Sequence, residues 1–588
     1  MKSRREVTGV GQSNRSRTTE SQAAPRPSGA ACGVGAHGVS STAAMSAMAR
    51  SRCPLLGGAP AGSHTVNVPA AVRIVDLEAP LADVQLSATW FGEQYRSLIV
   101  VARLDGEPLG AVALNVAEGR VSRFRLAGAL QRQLGPELEE WFARHGRTLP
   151  DSLPPEGIAV ESDAAPPTSR SVSVVVTTSG YTPRLERCLR SLLASRYHDF
   201  EVIVVDNRPA GGVTRAMLSE RFAYELRVRY VEESRRGLST ARNAGLMAAE
   251  GDLVAFTEGD VVVERDWIAR AAGAFDRADD VACVTGLMLP LQLEKANQPL
   301  LDQFAAYSTS FEPCTFRLAE RGLAYTPGLI GGGANTVVRA DLTRRLGGFD
   351  IALGTGTPSA GGEDLDLYLR LLRAGYAIAY EPRAIVSHGH ADARSRQAFR
   401  RGVGLGATLS KQLFAGSERR CPLRRVSAGV GFLSGLRGSA RTAGGYPRHR
   451  KWFERSGILL GPAAYLASVA IRRTGGTGEP QATRSPVQLT RVPLSSGRTV
   501  SVVSFRSPRP GWKAEGTRPG VASVLTRVLG AAAALACVAA PLAVVATVVL
   551  GPASLWGDVS AAEAVLYALA AITLTLLATQ LGRRRQAA

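Results

Sequence analysis

The chain has 588 residues, too many for one ordinary domain and enough for several, with 45% hydrophobic and 20% charged residues. Its 70 Lys and Arg against 50 Asp and Glu leave a net charge of +20, which asks for an acidic partner. The basic residues are dispersed over tails and no nucleic-acid motif appears, so nucleic acid is excluded in favour of anionic lipid headgroups.

From Met1 to about Val66 the chain is rich in Ser, Ala, Gly and Arg without periodicity and reads as a disordered tail. No signal peptide is expected, because the Arg-rich start is not followed by an apolar core. Residues 67–150 read as a small α/β accessory module, with strands at Val72–Val75, Leu98–Arg103 and Ala111–Leu114 and one helix from Arg125 to Ala143. It carries no catalytic constellation. Residues 151–170, acidic and Pro-containing, read as a linker.

The next stretch is more specific. Val172–Thr178 is a β-branched apolar run with the pattern of a buried central strand. Thr182 is placed to cap a helix that has Pro183 at its first position, and Leu185, Cys188, Leu189, Leu192 and Leu193 fall on one face of it. Glu201–Val205 is a second strand and ends at Asp206-Asn207. A third strand near Val228–Val231, a small-residue helix over Ser239–Ala249 and a fourth strand, Leu253–Thr257, lead into Glu258-Gly259-Asp260. The polar residues fall at strand C-termini, the edge where open α/β sheets bind ligands. A second acidic pair, Glu363-Asp364, opens a helix whose apolar face is Leu365, Leu367, Leu369, Leu371 and Leu372.

Seven segments, VVVTTSGYTPRLERCLRSL, EVIVVDN, RRGLSTARNAGL, LVAFTEGDVVVERDW, GGGANTVVRADLTRRLGGFD, GGEDLDLYLRLLRAGY and AYEPRAIVSHGH, stand in order between about Ser171 and Gln412. This ordered set resembles the catalytic domain of family 2 glycosyltransferases. The resemblance implies a GT-A fold, a Rossmann-like nucleotide-diphospho-sugar transferase domain over residues 171–415.

Such a reaction expels a nucleotide diphosphate and needs a hard cation on oxygen ligands, Mg²⁺ or Mn²⁺. By the resemblance, Glu258-Gly259-Asp260 occupies the place of the family's Asp-x-Asp motif. Asp260 is then the metal-touching carboxylate, and Glu258 reaches the ribose or a metal-bound water. His388 is implied as a further metal ligand, with His390 a weaker candidate. Asp206 is implied at the nucleobase, with Thr178, Ser179 and Tyr181 lining the rest of that pocket; Asn207 is either a binder or a turn former. Arg242 is a phosphate partner or an organiser of the acids, and Gly237 permits close backbone approach. The family pattern puts the catalytic base on Asp364, with Glu363 as acceptor-binding partner. Against this stands the bland reading of acids in a first helical turn, where the helix dipole favours them. Two adjacent carboxylates also invite a raised pKa on one of them.

Arg394–Leu413 is basic with Phe399, Val403 and Leu413 interleaved and is expected to lie over the active site or against the membrane; with Gly402, Gly404 and Gly406 it is expected to be a poor rigid helix, in keeping with a mobile flap that closes on the donor. Residues 416–526 read as a basic juxtamembrane region, in which Gly457–Ile471 is an interfacial or buried helix rather than a membrane span. Residues 527–582 hold two apolar runs, Val528–Leu550 and Ala564–Leu581, each matching the about 17 to 25 residues that cross a bilayer. Arg527 before them and Arg583-Arg584-Arg585 after them put both ends inside by the positive-inside rule. The seven cysteines, Cys32, Cys53, Cys188, Cys283, Cys314, Cys421 and Cys537, have no Cys-x-x-Cys spacing, so reduced thiols and a cytoplasmic catalytic domain are expected.

These readings converge on a multi-pass cell-membrane glycosyltransferase that moves a sugar from a nucleotide-diphosphate sugar to a lipid-linked or polysaccharide acceptor, with inversion implied by the resemblance. The rival is a non-catalytic sugar-nucleotide-binding subunit of a membrane polysaccharide assembly, motivated by the altered Glu258-Gly259-Asp260. A nucleotidyltransferase is weaker, since Thr177–Tyr181 offers no Gly-rich phosphate loop with a following Lys or Arg.

Overall fold

A computed structural model describes residues 66–89, 92–160, 169–293, 311–318, 330–389, 395–414, 448–474, 488–493 and 499–504. The expected tail up to residue 65, His390 and the two apolar runs within 527–582 lie outside the described residues.

The N-terminal module contains β1 (Ala70–Asp76), β2 (Val84–Gln85), β3 (Ser97–Leu104), β4 (Glu107–Asn115), β5 (Arg120–Val121), α1 (Arg123–Gln133) and α2 (Gly135–Arg144). β3 lies between β1, which is parallel to it, and β4, which is antiparallel. The helices bury Leu126, Leu130, Leu138, Trp141 and Phe142 against Leu98, Val100, Val112 and Leu114 of the sheet. The single helix expected over Arg125–Ala143 is in fact two. Pro136 lacks a backbone donor and cannot continue a helix interior, so Gly135-Pro136 starts α2 afresh after Leu134. Leu153 and Ile158, expected in the linker, belong to the module's apolar core.

The larger domain runs β6 (Val172–Thr178), α3 (Pro183–Leu193), β7 (Phe200–Asp206), α4 (Val213–Arg221), β8 (Val228–Glu232), α5 (Leu238–Ala248), β9 (Leu253–Glu258), β10 (Val261–Val263), α6 (Trp267–Gly273), β11 (Val281–Pro290), β12 (Gln292–Leu293), β13 (Cys314–Phe316), β14 (Thr336–Arg339), α7 (Ala340–Arg345), α8 (Glu363–Arg373), β15 (Ala377–His388), α9 (Ser395–Phe414), α10 (Arg448–Thr474), β16 (Gln488–Pro493) and β17 (Thr499–Ser504). The sheet order is β10-β15-β11-β14-β9-β6-β7-β8-β17-β16, with β13 on β15. β9, β6, β7 and β8 are parallel, so Glu258, Thr178, Asp206 and Glu232 end on one edge.

The sequence signals explain these elements. Thr182 Oγ1 accepts from the Leu185 amide at 3.3 Å, capping α3, whose buried face is Leu185, Cys188, Leu189 and Leu192. α5 is made of small residues because it lies directly on β6: a Cβ at Gly245 would run into the side chain of Val175. Two apolar clusters fill the two faces of the sheet, one under α3 and α6, the other under α5 and α8. Among the described residues Cys188 and Cys283 are buried thiols.

The modules are joined through strand pairing and packing. β12 adds antiparallel to β1, and Ala70, Val72, Ile99, Val101 and Ala111 pack against Leu287, Leu289, Leu293 and Ile385.

The expectation for residues 394–413 is corrected. α9 is one continuous helix despite Gly402, Gly404 and Gly406, because those glycines are its contact surface. A Cβ at Gly402 or Gly406 would strike the backbone of Glu454 or Ile458 on α10, and one at Gly457 or Gly461 would strike α9. Close packing of the two backbones outweighs weak intrinsic helix propensity. Among the described residues no helix is long and apolar enough to cross a membrane.

Candidate active site

The acids that close β9 meet the far end of β15. β10 pairs antiparallel with β15, Val261 opposite His388, and the Gly389 amide donates to the Asp260 carbonyl at 3.0 Å. This register sets His388 Nε2 3.1 Å from Asp260 Oδ1 and 3.9 Å from Glu258 Oε2. One ligand atom from each of Glu258, Asp260 and His388 falls within 4.8 Å of the others, and all three side chains are half-buried. Two carboxylate oxygens and an imidazole nitrogen facing partly open space fit a divalent cation that keeps positions for a substrate. Burial disfavours the charged imidazole of His388, yet the Asp260 hydrogen bond and the charges of Asp260 and Glu258 outweigh it, and its pKa lies above the ordinary 6.5.

Across the site, Gly362, with φ 87°, leads into α8, whose first residues are Glu363 and Asp364. Glu363 is buried, whereas Asp364 is half-buried. Asp364 Oδ2 accepts from the Gly333 amide at 2.9 Å and Oδ1 from the Leu365 amide at 2.8 Å, which fixes the carboxylate plane. Burial and the neighbouring Asp364 charge push the Glu363 carboxyl up to about 7, with Arg242 pulling in the opposite direction. The raised carboxyl expected from two adjacent acids is thus Glu363.

Arg242 joins the two halves. It is 1% exposed, donates from Nη1 to Glu363 at 2.8 Å and from Nη2 to Glu258 at 3.2 Å, and lies over the Phe349 ring at 5.4 Å. Gly333 makes room for it: a Cβ there would sit 2.7 and 2.8 Å from the guanidinium nitrogens and 3.0 Å from Asp364 Oδ2. Of the two roles foreseen for Arg242, the contacts are those of an acid organiser.

Asp206 lies at the end of β7 and is 1% exposed, accepting from the Arg208 amide at 2.9 Å and from the Tyr230 hydroxyl at 3.3 Å. Thr178 and Tyr181 are half-buried and Ser179 is exposed beside it; Thr178 Oγ1 donates to the Gly180 carbonyl at 2.6 Å. Asn207 holds the loop before α5, donating to the carbonyls of Glu233 and Arg235 and accepting from the Gly237 amide. Gly237 has φ 133° and lies against Gly356, where a Cβ would come within 3.1 Å of the Gly237 Cα.

Several residues at the site carried no signal in sequence. Lys411 on α9 bonds both Asp350 and Asp366 at 2.8 Å; Asp366 is fully buried and also accepts from Arg370 and Gln412. Tyr465 of α10 donates to Asp350 at 3.0 Å, and Thr408 of α9 donates to the Gly362 carbonyl at 2.9 Å. The α9–α10 pair is thereby keyed to the loop that presents Glu363 and Asp364.

Residues 173–322 match the family model described as glycosyl transferase family 2. The pre-mycofactocin glycosyltransferase of Mycobacterium tuberculosis is 30% identical over 230 residues, 38% of this chain and 44% of that protein. An N-acetylglucosaminyltransferase of Azorhizobium caulinodans is 25% identical over 228 residues, 38% of this chain and 56% of its own. The chain thus spans about half the length of these curated relatives. Among solved structures, the Pyrobaculum calidifontis mannosyltransferase PcManGT, in complex with GDP-Man and Mn²⁺, aligns with 52% of this chain and 88% of its own at 19% identity and a TM-score of 0.34.

Proposed function

We propose that this chain, whose residues 173–322 match the family 2 glycosyltransferase model, transfers a sugar from a nucleotide-diphosphate donor to an acceptor hydroxyl on a GT-A-like domain, metal-assisted and with inversion. The observation that carries this reading is the convergence of Glu258, Asp260 and His388 on one side and Glu363-Asp364 on the other, tied by Arg242.

Glu258, Asp260 and His388 would hold a divalent cation, which when bound would supply positive charge for the departing diphosphate. Asp206, Thr178, Ser179 and Tyr181 line the nucleoside end of the donor site. Asp364 accepts the proton of the acceptor hydroxyl as its oxygen bonds the anomeric carbon; the bond from that carbon to the diphosphate oxygen breaks and its electron pair leaves with the diphosphate. Attack from the face opposite the leaving group inverts the centre. Glu363 and Arg242 hold Asp364 and Glu258 in register across the site.

Purified protein assayed against UDP- and GDP-sugars, with and without Mg²⁺ or Mn²⁺, should release nucleotide diphosphate in the presence of metal and acceptor. Binding of sugar nucleotides without release under any condition would replace the enzyme reading with a non-catalytic binding subunit.

We further propose that the apolar runs Val528–Leu550 and Ala564–Leu581 anchor the chain with both ends in the cytoplasm. Reporters fused after Val66 and Ala588 should both read cytoplasm, and Ser554→Cys should label from outside. Labelling at that position only after permeabilisation would reverse this arrangement.

A further inference from the structure

α10 is built inside out for a helix of a water-soluble domain. Its glycines, Gly457 and Gly461, face α9, whereas Leu459, midway between them in the chain and on the opposite side of the helix, is 69% exposed. Leu459, Ala463, Leu466 and Ala470 follow one another at helical spacing, half-buried or exposed, opposite the glycine seam. In water the apolar face of a helix turns toward its partner; a pair that meets through backbone and turns leucine outward is packed for apolar surroundings.

The charge pattern says what those surroundings are. From Ser456 to Ile471 α10 has no charged residue, while Arg448, Arg450, Lys451 and Arg455 precede that stretch and Arg472 and Arg473 follow it. Glu454 is the helix's one acid. An uncharged middle framed by basic residues, of which Arg472 also pairs with Asp350 at 3.4 Å, fits a helix lying along an anionic bilayer with its aliphatic face among the acyl chains. α10 is not apolar enough to cross.

We propose that the exposed face of α10, centred on Leu459 and Leu466, rests on an anionic lipid bilayer. The placement has a consequence for the site. α9 packs on the Gly361-Gly362 turn through Gly404. Ser468 of α10 also bonds Ser359, two residues before that turn, so the membrane-facing helix is in contact with the loop that presents Asp364. A lipid-borne acceptor is then the class presented to that carboxylate, a step that rests on the transferase reading above.

The test uses the full chain in nanodiscs of equal parts phosphatidylcholine and phosphatidylglycerol, with acyl chains either brominated or plain. Bimane is attached at Leu459→Cys, Leu466→Cys or Phe124→Cys, the last an exposed position on the N-terminal module, with Cys32, Cys53, Cys314, Cys421 and Cys537 replaced by Ser. Bromine quenches only at close range, so fluorescence at 459 and 466 should be roughly halved while that at 124 is unchanged, as burial in the acyl boundary requires. Equal fluorescence in both discs at all three positions overturns the proposal. The transferase reading fails separately, if the unlabelled protein releases no nucleotide diphosphate whatever the quenching shows.

Discussion

Arg242 and Glu363, 121 residues apart in the chain, meet in a 2.8 Å ion pair with only 1% and 7% of their side chains exposed. The same guanidinium reaches Glu258 at 3.2 Å. Arg242→Met leaves the buried Glu363 carboxylate without its counter-charge, which for a buried pair costs roughly 3–5 kcal/mol. Thermal unfolding should fall accordingly and turnover should be lost. Arg242→Lys keeps the charge but cannot span two carboxylates, so it should recover much of the melting temperature and little of the turnover.

Asp260→Asn removes one carboxylate from the candidate metal set. Calorimetry with UDP or GDP should then show the same affinity with and without Mn²⁺, and transfer should cease. Unchanged turnover in this variant would take Asp260 out of the site.

Asp364→Asn is nearly isosteric and retains an acceptor for the Gly333 amide. Donor affinity and fold should survive while the rate drops by about 10² or more, the scale of lost general-base assistance. A smaller loss would move the base elsewhere.

Glu363 sets a pH dependence. Its carboxyl titrates near 7 when folded, against an ordinary 4.5. The folded state therefore holds a proton that the unfolded chain has released, so the group's contribution to stability is complete below pH 4.5 and is lost as pH rises to about 7. Wild type minus Glu363→Gln, measured by denaturation across that window, should show a decline that levels off above 7. If the ionised pair is the working form, turnover should rise through the same interval and lose that limb in Glu363→Gln.

Gly333→Ala adds one carbon where the guanidinium and Asp364 already lie within about 3 Å. Activity should fall with little change in secondary structure by circular dichroism. A fully active variant would show that Arg242 and Asp364 can shift without consequence.

The N-terminal half of the larger domain was largely legible in sequence. Val172–Thr178 and Val202–Val205 are buried parallel strands, which read as uninterrupted β-branched runs, and Thr182-Pro183 carried a cap signal that the structure uses. The acids Asp206, Glu258 and Asp260 were legible because strand C-termini form the ligand edge. The Arg242 bridge was only half legible, since its span depends on packing that brings residues 242, 258, 333 and 363 together. The three glycines of α9 misled, because local propensity says nothing of a partner helix that begins at residue 448. The β16–β17 hairpin on the edge of β8 went unseen: Thr499–Ser504 has the composition of a strand, but which strand it joins is set by tertiary contact.

The seam between the N-terminal module and the larger sheet makes the two mechanically one body. Residues 70 and 71 hydrogen-bond across to 293 and 292, and Leu287, Leu289 and Ile385 are covered by Val72, Ile99 and Val101, with Ile385 only three residues from His388. Heat should therefore melt both in a single calorimetric peak rather than two. A lesion in the module, however far from any acid of the site, should silence the enzyme by fraying the strand ends on which Asp260 and His388 are held together.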